Sequence, residues 1–311
     1  MYLAKMSDPL CGAKYFYKTK SIYLNADLPL SDATSYALHE CIHYLQEIVD
    51  KNGELLRLGL YDFVGNCGVA LNEGAVQLMA SEALGNKKQD VTYYQLHLST
   101  ISPDYYPLEC AIVRQMSYFT GTYPLYHSTL HGNDVFKNTF IAIAGEKTFY
   151  LIQASLDRIA EESDRISYFS HCLACEEDRP KYAEKWREKI EESKQKIMNL
   201  FISSQDLMIS ECFSRELNNI RSLNDIKSLK DKLYGFSNYI ATTDDYTFYN
   251  DFYRTTMECL EEKAAYIQEH GAFDLRTPLT TDLTVISTAR TGWTLFRRLL
   301  KKLGLLGQTD E

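Results

Sequence analysis

A chain of 311 residues that is 45% hydrophobic and 24% charged holds enough apolar material for a sizeable core, built as one large domain or two. Its 23 tyrosines and 14 phenylalanines exclude a disordered chain. A net charge of −9 speaks against nucleic acid as a partner.

The N-terminal stretch MYLAKMSDPLCGAKYFYKTK has no apolar run between a basic start and a cleavage site. Nowhere does the apolar character persist for the roughly eighteen residues that a membrane-spanning helix requires. The eight cysteines stand singly apart from Cys172 and Cys175. Together these features predict a cytoplasmic protein with free thiols.

Residues 13–25, AKYFYKTKSIYLN, mix aromatic and β-branched residues with polar ones and predict one or two strands, SIYLN being the second. A short Pro-containing loop follows over 27–32. Ser31 or Asp32 then caps a helix that runs to about Asp50, where KNGE ends it. That helix carries Leu38, Ile42, Leu45 and Val49, and also Ala37, Cys41, Tyr44 and Ile48. Apolar residues on more than one side predict a helix buried well inside its domain. A second helix is expected from Val69 to Leu84. The chain up to about Asn133 is rich in Tyr, Pro, Ser and Thr, with at least one helix at PLECAIVRQMSYF. From residue 135 the periodicity is helical with charged outer faces, with a turn at EEDRP, 176–180, and further helices over 222–241 and 245–270. The expected class is α+β and predominantly α-helical. An N-terminal domain with a small sheet covers 1–134, and a mainly helical region covers 135–311.

The first helix contains His39-Glu40-Cys41-Ile42-His43. On a helix, His39 and His43 lie on one face a turn apart, the spacing at which two imidazoles can share a zinc ion. Glu40 sits beside that face, where it can hold a water and take its proton. A histidine pair satisfied by core partners has the same spacing, so the question is whether a third ligand exists. Glu73, near the start of the helix VALNEGAVQLMASEAL, is the candidate. Gly74 beside it would let this helix approach the histidine helix closely. Gln77, one turn on, could hydrogen-bond the far nitrogen of a liganding histidine.

HECIHYLQ followed by LNEGAVQ resembles the gluzincin branch of the zincin metallopeptidases, over roughly residues 20–85. The resemblance implies a zincin-like catalytic domain with Zn2+ held by His39, His43 and Glu73, and Glu40 as general base. It implies a peptide or protein substrate, aligned on an edge strand for which SIYLN is the match. It also implies a downstream Tyr or His that stabilises the oxyanion; the candidates are Tyr105, Tyr106, His127 and His131. Many members of the branch carry a carboxylate near the position of Gln77, and the neutral amide here would polarise the histidine less.

Two weaker signals lie further on. His171-Cys172-x-x-Cys175 is half of a zinc or redox motif with no second half. WTLFRRLLKKLGLL, 293–306, is an amphipathic basic helix suited to docking on its own protein, or to a membrane surface or acidic partner. The expectation is a zinc metallopeptidase. The alternatives are a non-catalytic zincin-fold protein with a zinc site and a protease specific for one intracellular protein.

Overall fold

The computed structural model describes residues 1–270 apart from 7–10, 64, 66, 176–179 and 243–246. The basic segment 293–306 and most of EEDRP therefore lie outside the described residues. Chain order begins with three short strands, β1 (Tyr2–Ala4), β2 (Ala13–Phe16) and β3 (Ser21–Asn25), followed by helix α1 (Leu30–Leu45). The sheet order is β1-β3-β2, with β3 parallel to β1 and antiparallel to β2. SIYLN is thus the central strand and not an edge, because the N-terminal residues Tyr2–Ala4 occupy its outer side in register with Tyr23–Asn25.

Helix α1 starts from Pro29, which offers no side-chain cap, so neither Ser31 nor Asp32 is the cap residue. It also ends earlier than its apolar pattern predicts. Gln46 closes it, and Glu47–Val49 form β4, paired with β5 (Leu55–Leu58), which in turn pairs with β6 (Tyr61–Asp62). The KNGE segment is the turn of this hairpin. Asp50 Oδ1 accepts the N–H groups of Asn52 and Glu54, and Gly53 takes the left-handed backbone that the turn needs. Nor is α1 deeply buried. Tyr44 and Leu45 are 48% and 62% exposed, while His39, Glu40 and His43 are at most 9% exposed. Its buried face combines these three polar residues with Ile42, which packs on Val76 and Ala80 of the next helix.

Helix α2 (Val69–Ala83) is followed by the hairpin β7 (Gln89–Tyr93) and β8 (Leu96–Thr100). Helices α3 (Pro107–Thr120) and α4 (Thr122–His131) come next. The second half comprises α5 (Val135–Ala144), α6 (Glu146–Ala174), α7 (Ala183–Asn218), α8 (Leu223–Phe236) and α9 (Thr247–His270). The described chain is α+β and predominantly helical, as its sequence predicts.

The long helices α6 and α7 pack along one another. Between them Glu162, with a fully buried side chain, pairs with Arg158 and Arg165 and accepts a hydrogen bond from Ser193 at 2.7 Å. Such a charge is tolerated inside only because each oxygen has partners. One cluster of buried apolar residues runs from Leu60 to Ile267, so α2 and α3 pack into the same core as α6–α9. Among the described residues no helix is long and apolar enough to cross a membrane.

Candidate metal centre

Helix α2 is fixed from its first turn. Gly68 N–H and Ala70 N–H, two of the orphan donors at a helix start, are accepted by the Asp157 carboxylate of α6 at 2.8 and 3.0 Å. Gly68, at φ +86°, turns the chain into the helix. Glu73 then emerges little more than a turn later, facing α1. The missing Cβ of Gly74, however, faces α3, where it would lie 2.9 Å from the backbone carbon and oxygen of Glu109. The glycine allows close approach of α3, not of the histidine helix.

His39, His43 and Glu73 converge. Glu73 Oε2 lies 3.1 Å from His39 Nε2 and 3.3 Å from His43 Nε2, and the two Nε2 atoms are 3.0 Å apart. Among the described residues this is the one group of three or more His, Cys, Asp or Glu side chains whose ligand atoms meet in this way. Metal–ligand bonds of about 2.0–2.1 Å in a tetrahedron put neighbouring ligand atoms about 3.3 Å apart. The triangle matches that edge.

The hydrogen bonds behind the two rings decide which lone pairs point inward. His43 Nδ1 is 2.6 Å from Gln46 Oε1. The amide orientation of Gln46 is forced, because its other end donates to a backbone carbonyl, Thr129 O, at 3.1 Å and to Asn72 Oδ1 at 3.1 Å. His39 Nδ1 lies 2.9 Å from Gln77 Oε1. The Gln77 NH2 donates to Ser102 Oγ, whose own hydrogen goes to Tyr105 O at 2.5 Å. Both Nδ1 atoms therefore carry hydrogen, and both Nε2 atoms turn toward each other and toward a carboxylate oxygen. Three such atoms aimed at one point need a positive charge between them, which a proton on His43 Nε2 supplies in the metal-free protein. They can satisfy a cation, so the residues fit zinc.

Charge within the cluster agrees. Burial disfavours the His43 imidazolium, but the Glu73 carboxylate outweighs it and holds its pKa up to about 9. Glu73 is held well below the usual carboxylate range: the two imidazoles, His43 above all, overcome the opposing effect of burial. Glu40 is buried beside them; burial raises its pKa against the pull of His39 and His43. Asn72 organises the back of the site, bonding both ends of the Gln46 amide and accepting Leu60 N–H at 3.0 Å.

Of the four oxyanion candidates, the fold brings Tyr106 to the cluster. Its ring stacks on His39, with centroids 5.9 Å apart and planes 17° from parallel, and the Glu73 charge, with burial, pushes its phenol well above the usual tyrosine range. Tyr105 packs instead on Tyr36, at 4.3 Å between ring centroids. His127 and His131 stack on each other on α4; His131 Nδ1 bonds the His127 carbonyl, and Asn133 donates to His127 Nδ1. Helix α4 serves the site through its backbone, at Thr129 O. His171 Nε2 and Cys175 Sγ lie 3.9 Å apart, with Cys172 on the same turn of α6.

Sequence reasoning missed Gln46, Asn72 and Glu109. Asn72 belongs to the NEG motif and Gln46 lies one turn past His43, so both were visible by spacing. Glu109 was not: it is a buried carboxyl in the first turn of α3, pushed up to about 7 by burial and by the Glu73 charge. Comparison of the chain with family models, with curated proteins and with solved structures returned no match.

Proposed function

We propose that the protein is a zinc-dependent peptidase with His39, His43 and Glu73 as metal ligands and Glu40 as general base. The observation that carries this reading is the meeting of two imidazole Nε2 atoms and one carboxylate oxygen within 3.0–3.3 Å, with a buried glutamate one residue after the first histidine. The convergent group has three members among the described residues, and three protein ligands with an open fourth position characterise catalytic zinc sites, whereas structural sites are closed by four.

A zinc ion held there would supply Lewis acidity, which polarises a carbonyl and acidifies a water. The chain's own residues supply the rest. Gln77 and Gln46 fix the ring orientation of His39 and His43 and turn each Nε2 toward Glu73. Glu40, raised in basicity by burial, accepts a proton at a carboxylate oxygen and returns it to the leaving amine. Since β3 is central, an extended substrate can add only to the outer edge of β1 or β2. Of the two, β2 is the strand packed against α1, the helix that carries Glu40.

The test is zinc quantification on the wild type, His39→Ala and Glu73→Ala, with a peptidase assay on Glu40→Gln. Near-stoichiometric zinc on the wild type, its loss from the two ligand variants, and zinc retained without turnover in Glu40→Gln are the expected results. A wild type without stoichiometric zinc, and unchanged in His39→Ala, would overturn the reading.

A further inference from the structure

Strand β2 pairs with β3 on one side, and among the described residues no strand takes its other edge. Its side chains alternate between the two faces of the sheet. Tyr15 turns toward the end of α1: its hydroxyl donates to Glu47 Oε1 at 2.6 Å and its ring meets that of Tyr44 edge-on. Lys14 and Phe16 share the opposite face, and both are exposed, Phe16 at 45%.

That face is braced. Lys14 Nζ lies 5.3 Å from the Phe16 ring centroid. Tyr23 of β3, directly across from Lys14, meets the Phe16 ring edge-on at 5.4 Å, and Tyr2 of β1 stacks on Tyr23 at 5.4 Å. Its charge is opposite to that of the chain as a whole. Residues 1–25 contain four lysines, Lys5, Lys14, Lys18 and Lys20, against one aspartate, in a protein of net charge −9. Lys20 is answered by Glu47, whereas Lys14 and Lys18 lie over the rings of Phe16 and Tyr17.

An extended peptide laid along the free edge of β2 meets these groups in order. Whichever way it runs, one of its residues stands opposite Lys14, and the residue two positions away stands opposite Phe16 on the same face. Side chains directly opposed across neighbouring strands are coupled: opposite charges and aromatic pairs stabilise, and like charges destabilise. We propose that the substrate is an acidic peptide segment, with Asp or Glu opposite Lys14 and a large apolar residue two positions away opposite Phe16. This rests on the peptidase reading above and deepens it, because it assigns specificity to two residues outside the metal cluster.

The test is cleavage of a mixed synthetic peptide library, read by mass spectrometry, with zinc-loaded wild type, Lys14→Glu and Phe16→Thr, and with Glu40→Gln as the blank. Both positions are exposed and threonine suits a strand, so the variants keep the fold accessible. Wild type should enrich Asp and Glu about two- to fivefold at one position relative to the cut, and large apolar residues two positions away. Lys14→Glu should replace the acidic enrichment by Lys and Arg at that same position. Phe16→Thr should abolish the apolar enrichment, and zinc content should be unchanged in both. An acidic preference in Lys14→Glu equal to that of wild type, or no preference in either, would overturn this assignment and leave the peptidase standing. So would sedimentation with phosphatidylserine vesicles that Lys14→Glu abolishes while cleavage preferences stay as in wild type, since the face would then serve a lipid surface. A zinc-loaded wild type that cleaves nothing above the Glu40→Gln blank would overturn the peptidase reading itself and this inference with it.

Discussion

With the His43 pKa raised by the Glu73 carboxylate, zinc must displace a proton, so its affinity should be steeply pH-dependent, to an extent that follows from the site. A histidine with the ordinary pKa of 6.5 is half deprotonated at pH 6.5 and almost fully so at pH 8.5, so raising the pH across that range would gain only about twofold in affinity. With the pKa held up to about 9 by Glu73, the deprotonated fraction rises from about 0.3% to about 24%, a gain of about 75-fold or about 2.6 kcal/mol. Glu73 stays ionised throughout, since its pKa is shifted downward. The assay is chelator competition at several pH values. Calorimetry at pH 7 in buffers of different ionisation enthalpy should also show about one proton released per zinc bound. An affinity that levels off above pH 7, with no net proton release, would refute the reasoning. The partner variant Glu73→Gln should flatten the curve as well as weaken binding, because it removes the charge that raises the His43 pKa.

The same linkage sets the stability of the zinc-free protein. The His43 contribution is fully present below about pH 6.5 and lost as the pH rises through about 9, while that of Glu73 is present above its unfolded value of 4.5 and lost on acidification. Denaturant titrations in chelator should therefore show stability falling by roughly 2–3 kcal/mol between pH 6.5 and 10, and a flat profile would contradict the His43–Glu73 pairing. Gln46→Ala removes the partner of His43 Nδ1–H, Thr129 O and Asn72 at a site with no solvent access. It should destabilise the fold by about 3–5 kcal/mol and cost about 10–100-fold in zinc affinity, measured by chemical denaturation and chelator competition. Gly74→Ala gains about 1 kcal/mol of helix propensity but forces a Cβ to within 2.9 Å of the α3 backbone. Overpacking of about 1–3 kcal/mol should win, and a stabilised variant would show that α2 and α3 are not in such close contact.

What the sequence made legible follows from which interactions are local. His39, Glu40 and His43 share one helix, so their relation is fixed by the 3.6-residue period and could be written down from spacing alone. Glu73 required α2 to fold back on α1, an arrangement that spacing permits but does not dictate. Here it depends on Asp157, 87 residues beyond Ala70, holding the start of α2.

The hairpin β7–β8 escaped notice for a different reason. Its turn uses Tyr94 and Gln95 at φ +49° and +73°, where a two-residue hairpin normally advertises itself with Asn or Gly. Helix α4 was hidden by Pro124, which sits in its first turn where a missing N–H does no harm. The apolar pattern of α1 is a poor guide to which of its faces turns inward. The residues that turn inward are His39, Glu40, His43 and, just beyond the helix, Gln46, with Ile42 the one apolar side chain of α1 fully among them. A helix that buries its polar stripe and exposes Tyr44 and Leu45 inverts the rule by which cores are recognised. Buried polar groups are kept only where each finds a partner. The amides of Gln46 and Gln77 serve the outward nitrogens of the two rings, and the inward nitrogens are left to share one carboxylate oxygen. That residual demand, created by packing and not by any single motif, is the strongest physical reason to expect a cation between α1 and α2.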